Sequence, residues 1–169
     1  ILKNKEENNI NCSLTSVEPY PIPELLELSN NGDIKLFQTK VEKLNPDLFM
    51  QLSKNDILFI DSSHVVDIGN DVHFLYLKIL PQIPVGVYVH IHDIRFPYEY
   101  PKKWVINERK SWCEQYLLHM FLAFNDSFEI IFASNYMCQL DRKLMSENLY
   151  GLNESGSGWP GAFWIKRVR

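Results

Sequence analysis

Asp61 and His64 stand three residues apart in "DILFIDSSH", and His92 and Asp93 are adjacent in "GVYVHIHDI". Each pair directly follows a run of β-forming apolar residues. Neighbouring parallel strands lie about 4.8 Å apart, so groups at their tips can converge on one ion or one substrate atom. Two carboxylates, an imidazole and water make a hard, oxygen-rich donor set, suited to Mg²⁺, or to Mn²⁺ where nitrogen takes part. A divalent cation there would hold a substrate hydroxyl and favour its alkoxide. His64 or His92 would take the proton, because an imidazole titrates near neutral pH.

Two other readings use the same residues. An Asp at a strand end often binds nearby backbone N–H groups, and Asp61-Ser62-Ser63 fits that role. His90 and His92 share one face of a strand, where one of them could be a core histidine bonded to a carbonyl. As H-x-H-D, the residues His90, His92 and Asp93 could instead be ligands of a metal hydrolase or oxygenase. Strand alternation opposes this, since it puts Asp93 on the other face unless the strand ends first. Glu18, after "LTSV", is a further candidate. An acid at the end of the second strand of a nucleotide-binding unit accepts both ribose hydroxyls. The alternative is a solvated turn acid before Pro19.

The elements that must position these groups follow from the pattern. Strands are predicted at 12–18, 34–41, 57–60, 86–94, 128–134 and 161–168. Helices are predicted after Pro23, over 45–55 with Asn45 as N-cap and Pro46 first in the helix, over 69–80, and over 102–124 as the longest. The 102–124 stripe runs through Val105, Trp112, Tyr116, Leu117, Met120 and Phe124. "ILKNKEENNIN" and "NESGSGWPG" read as loops. Strands alternating with helices imply an α/β fold, an open and mostly parallel sheet with helices on both faces. The middle strands are continuous apolar runs, as strands buried on both sides should be. In such sheets the working residues lie just beyond the carboxyl ends of the strands. Phe96, Tyr98, Tyr100 and Trp104 in "RFPYEYPKKW" would form either an acceptor wall beside that rim or packing against the long helix.

Composition bounds the class. The chain has 169 residues, 46% of them apolar and 13% aromatic, enough for one domain with a sizeable core. A net charge of −4, with no long basic cluster, opposes a nucleic-acid partner. The three cysteines, Cys12, Cys113 and Cys138, form no CxxC and suggest free thiols in a reducing compartment. No apolar run reaches the roughly 20 residues of a membrane span. A cytoplasmic protein without membrane partners is expected.

With these residues in place, most of the chain, from "LTSVEPYP" to "GAFWIKRV", resembles the class I S-adenosylmethionine-dependent methyltransferases. "DILFIDSSHVV" looks like their fourth strand, "LPQIPVGVYVHIHDI" like the turn and fifth strand, and "FWIKRV" like the final antiparallel strand. The resemblance implies a Rossmann-like sheet and methyl transfer from S-adenosylmethionine to a hydroxyl of a small-molecule acceptor. It assigns Glu18 to the cofactor ribose, and Val41 and Glu42 to the neighbourhood of the adenine, with Asp61 beside the cofactor. In metal-dependent catechol-type relatives, the positions matching Asp61, His92 and Asp93 hold Mg²⁺. In macrolide-sugar O-methyltransferases, the position matching His64 is the base. His92 stands where those relatives usually carry an acid, which predicts weaker Mg²⁺ binding and strengthens a base role for His92.

The family's first strand and its glycine-rich turn should precede the ribose acid by a few dozen residues. Here seventeen residues stand before Glu18, and none of them form a GxG. That turn lets backbone approach the ligand closely. The expectation is therefore a single methyltransferase-like domain over 1–169 that lacks this part. Two further expectations follow: a fragment or non-catalytic remnant with weak cofactor binding, and a sheet whose free edges favour a homo-oligomer.

Overall fold

The computed structural model describes Glu7, residues 11–149, Leu152 and residues 160–169. The predicted loop at the start of the chain, apart from Glu7 and Asn11, lies outside the described residues, as does most of "NESGSGWPG". The chain divides into two compact units, Ile1–Asn45 and Pro46–Arg169. Among the described residues no helix is long and apolar enough to cross a membrane.

The first unit is a strand–helix–strand crossover. Strand β1 (Thr15–Val17) pairs in parallel with β2 (Lys35–Phe37), Thr15 opposite Lys35 and Val17 opposite Phe37. Helix α1 (Pro23–Asn30) joins them, as a parallel pair requires. Pro23 opens the helix, where a missing N–H costs nothing. Gly32, at φ 80°, turns the chain beyond its end. The strand expected over 34–41 is shorter, because Val41–Lys43 forms a 3₁₀ turn.

In the second unit the elements are α2 (Asp47–Met50), β3 (Ile57–Ile60), α3 (Asp71–Phe74), β4 (Tyr88–Ile91), α4 (Glu114–Leu122), β5 (Phe128–Ala133), α5 (Ser134–Leu140), α6 (Arg142–Asn148) and β6 (Phe163–Arg167). Helix α3 continues as a π-helical turn over Leu75–Ile79. The four strands form one sheet in the order β3-β4-β6-β5. β3 and β4 are parallel, and β6 runs antiparallel to both β4 and β5. Three strands therefore share a direction, and one reversed strand sits among them. The chain is mixed α/β with mostly parallel strands.

One face of this sheet carries Val89 and Ile91 of β4 opposite Ile165 and Phe163 of β6, all essentially inaccessible. Val72, Tyr76, Ile79, Leu80 and Leu118 are equally buried and belong to the same core. Full burial of each such aliphatic side chain contributes roughly 1.5–3 kcal/mol. The other face carries the row Phe59–His90–Trp164.

Several expectations need correction. β3 is not buried on both sides: Ile57 and Phe59 are 54% and 57% exposed, while Ile60 is buried. Among the described residues it pairs with β4 alone, so it is an edge strand. The helix expected over 102–124 is two elements, a π-helical turn at Lys103–Asn107 and α4. Arg109, at φ 53°, adopts a left-handed conformation between them that no helix can continue through. The stripe read there does not face a core, since Val105, Met120 and Phe124 are exposed. The 45–55 helix shrinks to the single turn α2, capped at Pro46 rather than Asn45. Helices α5 and α6 were not expected. Asp141 starts α6 by accepting a hydrogen bond from the Leu144 N–H at 2.9 Å.

Candidate active site

The segment after β3 is shaped to present one imidazole. His64 takes φ 59°, a left-handed conformation that costs a non-glycine residue roughly 1–2 kcal/mol. Its carbonyl then accepts hydrogen bonds from the amides of Cys113 (2.8 Å) and Glu114 (3.1 Å). These amides open α4 and have no partner inside the helix. The loop thus docks on the start of α4 and brings the first acid of that helix under the histidine ring.

That acid is Glu114, whose side chain is wholly buried. Its Oε2 lies 2.8 Å from His64 Nδ1 and accepts the Ser62 hydroxyl at 2.7 Å. Ser62 Oγ in turn accepts the His64 N–H at 3.0 Å. Nδ1 is the donor to a carboxylate, which leaves Nε2 as the free lone pair in the neutral ring. Nε2 faces Asp61, with Oδ1 at 3.5 Å, and Trp112 packs on the ring with centroids 4.3 Å apart. Burial alone would lower the pKa of His64. The Glu114 hydrogen bond, with the charges of Glu114, Asp93 and Asp61, overcomes this and holds it above 6.5. Tyr76 is also affected: burial first, and Glu114 second, push its phenol well above the ordinary value.

The second strand tip converges on the same place. The His92 amide donates to the Ile60 carbonyl at 2.8 Å, which sets His92 beside Asp61. His92 Nε2 lies 3.7 Å from Asp93 Oδ1. Asp93 is left-handed as well, at φ 55°, and Gly161 packs against it so closely that an added Cβ would stand 2.8 Å from Asp93 Cα. His90 is a wall residue. It is stacked on Phe59 at 4.3 Å, edge-on to Trp164 and 3.3 Å from His92 Nδ1 through Nε2. Burial, reinforced by His92, lowers its pKa to about 4, so it is neutral at pH 7.

Asp61, His64, His92 and Asp93 therefore gather at one rim, at the carboxyl ends of β3 and β4. Among the described residues no three His, Cys, Asp or Glu side chains are arranged to hold a metal ion. Asp61, His92 and Asp93 do not form a cage that fits Mg²⁺, so no step below passes through a metal. Glu18, Val41 and Glu42 belong to the first unit. Glu18 extends β1, with its amide on the Phe37 carbonyl at 3.1 Å, and its Oε1 accepts the Tyr20 N–H at 2.8 Å. Val41 and Glu42 lie in the 3₁₀ turn, where Glu42 stands 3.9 Å from Lys40.

The aromatic segment packs on the helix side. Phe96 lies against His119 of α4, and the buried Tyr100 stands among Trp104, Trp112 and Tyr116. Phe96 also lines an open apolar hollow of about 330 Å³ with Pro97, Ile130, Ala133, Tyr136 and Phe163. Glu114 is the residue that sequence reasoning missed. The nearest signal is S-x-x-E at Ser111–Glu114, which would have split the 102–124 helix but reads as a start two residues early, since α4 begins at Glu114 with Cys113 at its N-cap. Comparison with known protein families, curated proteins and solved structures gives no match to this chain.

Proposed function

We propose that the chain is an S-adenosylmethionine-dependent methyltransferase domain acting on a hydroxyl of a small molecule, with His64 as base and Glu114 as the group that orients it. The observation that carries this reading is the 2.8 Å contact between His64 Nδ1 and the fully buried Glu114 carboxylate. It fixes the tautomer and leaves Nε2 to accept a proton. A nucleophile's base oriented by a third group is the recurring geometry of proton abstraction. The reversal of β6 lends support, because a final antiparallel strand is what the resemblance leads one to expect. So does the left-handed backbone at both His64 and Asp93, since such strain clusters at working sites.

In this reading, bound S-adenosylmethionine would supply a methyl group on a sulfonium, with a neutral thioether as the leaving group. The acceptor hydroxyl enters beside Asp61. As its oxygen bonds the methyl carbon, its proton passes to His64 Nε2. The imidazolium so formed is stabilised by Glu114 through Nδ1, and by the charges of Asp61 and Asp93. General-base assistance of this kind is worth roughly 10²–10⁴ in rate. Asp61 also steers the acceptor hydroxyl, and His92 supplies a second polar contact at the rim. The resemblance assigns Glu18, in the first unit, to the cofactor ribose.

Calorimetric titration of the chain with S-adenosylhomocysteine tests the reading. Binding that weakens in Glu18→Ala, together with methyl transfer that is lost in His64→Asn while binding persists, is the expected result. Absence of heat and of any thermal shift with the cofactor would leave the remnant reading in its place.

A further inference from the structure

Arg95 lies four residues beyond β4, on the rim that carries His92 and Asp93. It is only 9% exposed. Its backbone N–H is held by Gln115 Oε1 at 3.2 Å, and Gln115 Nε2 donates to the Tyr98 carbonyl at 3.2 Å. Gln115 is itself buried and follows Glu114 directly, so the turn bearing Arg95 is clamped to the same helix end that orients His64. The guanidinium stands over Trp104, 5.6 Å from the ring centroid. Lys110 Nζ lies 4.5 Å from the same ring and 4.1 Å from Trp112, whose indole packs on His64. A continuous wall, cationic and aromatic, therefore runs from Arg95 to the base.

The two cations differ in what neutralises them. Lys110 Nζ has Glu108 Oε2 at 3.5 Å. Arg95 has no ion pair among the described residues, the Asp93 carboxylate acts on it only from beyond ion-pair distance, and its Nε–H is buried without an acceptor. Burying an ion unpaired costs several kcal/mol. A cation–π contact returns about 0.5–2 kcal/mol, which does not offset that cost. A planar guanidinium with free donors matches a carboxylate or phosphate in two parallel hydrogen bonds.

We infer that Arg95, backed by Trp104, is an oxyanion subsite beside the His64 base, and that the acceptor is an anionic alcohol, a hydroxy acid or a phosphorylated hydroxy compound. The inference rests on the proposed methyl transfer for the word acceptor. The subsite itself does not, since it binds an oxyanion whether or not a methyl group moves. The carboxylate of the methyl donor is the other source of the same chemistry.

The test uses the whole 169-residue chain. Inorganic phosphate and acetate are titrated, at constant ionic strength, into wild type, Arg95→Lys and Arg95→Met. The Arg95 Nε–H proton–nitrogen resonance is followed, assigned by its loss in Arg95→Lys. The wild-type resonance should shift and saturate at millimolar anion. Calorimetric affinity should fall about tenfold in Arg95→Lys, which keeps the charge but not the fork, and further in Arg95→Met. An Nε–H resonance indifferent to both anions overturns the subsite, and this reading needs only the conservative variant used for its assignment to fold. S-adenosylhomocysteine affinity unchanged in Arg95→Lys assigns the anion to the acceptor; a matching loss assigns it to the donor and overturns the anionic acceptor. Anion binding without cofactor binding would keep the subsite and refute methyl transfer. Cofactor binding without anion binding would do the reverse.

Discussion

His64 and Glu114 are joined twice. The backbone carbonyl of His64 caps the amide of Glu114 at 3.1 Å, and the Glu114 carboxylate holds the His64 ring at 2.8 Å. The loop after β3 and the first turn of α4 therefore cannot move apart without breaking both bonds. A pair built this way fixes its own geometry, which is what a base needs before its substrate arrives.

Glu114→Gln should separate orientation from charge. The amide keeps the volume and can still accept from Nδ1, but the charge that raises the His64 pKa is gone. His64 must be neutral to act, so wild-type activity should rise with pH through a value above 6.5. In Glu114→Gln this acid limb should move to lower pH, and the maximal rate should fall roughly 10- to 100-fold. Glu114→Ala should instead destabilise the fold by about 3–5 kcal/mol, because it leaves buried polar partners behind. A pH–rate profile that does not move in Glu114→Gln would remove Glu114 from the mechanism.

Much of this rim could be read from the sequence, and one half of the pair could not. Asp61, His64, His92 and Asp93 were legible because apolar runs end in polar residues where parallel strands open to water. Glu114 was hidden by a false periodicity. Val105, Trp112, Tyr116 and Met120 fall at helical spacing, but three of them face water, and Arg109 interrupts the helix between the two halves. An acid on the polar side of an imagined long helix has no reason to be buried. It becomes one only when the helix starts beside it and turns its carboxylate inward. The exposure of Ile57 and Phe59 was equally illegible, since a run such as "ILFI" looks the same on an edge as at a centre.

His90 makes fold stability depend on pH. Its folded pKa of about 4 lies below the ordinary 6.5. Between these values the unfolded chain binds the proton and the folded chain does not, so stability is lost as pH falls from 6.5 to 4. The loss amounts to about 3 kcal/mol at most. His64 has the opposite sign and another window: its raised pKa adds stability that is complete below 6.5 and fades above it. Urea unfolding at pH 7 and pH 4.5 should show a smaller difference for His90→Phe than for wild type. Equal differences would mean that His90 does not titrate as its burial beside His92 implies.

Gly161 should not tolerate a side chain. A Cβ there would stand 2.8 Å from Asp93 Cα and 3.0 Å from its Oδ1. The nearer atom is backbone and cannot rotate away. The Gly161 carbonyl also accepts the Ile94 N–H at 2.9 Å, so the two segments cannot simply separate. Gly161→Ala should cost about 1–3 kcal/mol, as overpacking does, and should displace Asp93 from the rim. Chemical denaturation measures the first effect, and a crystal structure of the variant the second. An unchanged unfolding midpoint would contradict the closeness of this contact.

Phe124 offers a substitution in the stabilising direction. Ala123 has φ −63° and ψ 123°, Phe124 has φ 58°, and the Asn125 N–H bonds the Leu122 carbonyl at 3.2 Å. This is a type II turn, whose third position favours glycine because a Cβ is strained at positive φ. The Phe124 ring is fully exposed and contributes no burial that could repay the strain. Phe124→Gly removes the strain, but the more flexible unfolded chain returns part of the gain. The net expectation is a stabilisation of about 0.5–1 kcal/mol, read as a rise in the urea midpoint with an unchanged slope. A fall in the midpoint would mean that the ring buries itself against something in solution, and the turn would then be held by that contact rather than by its backbone.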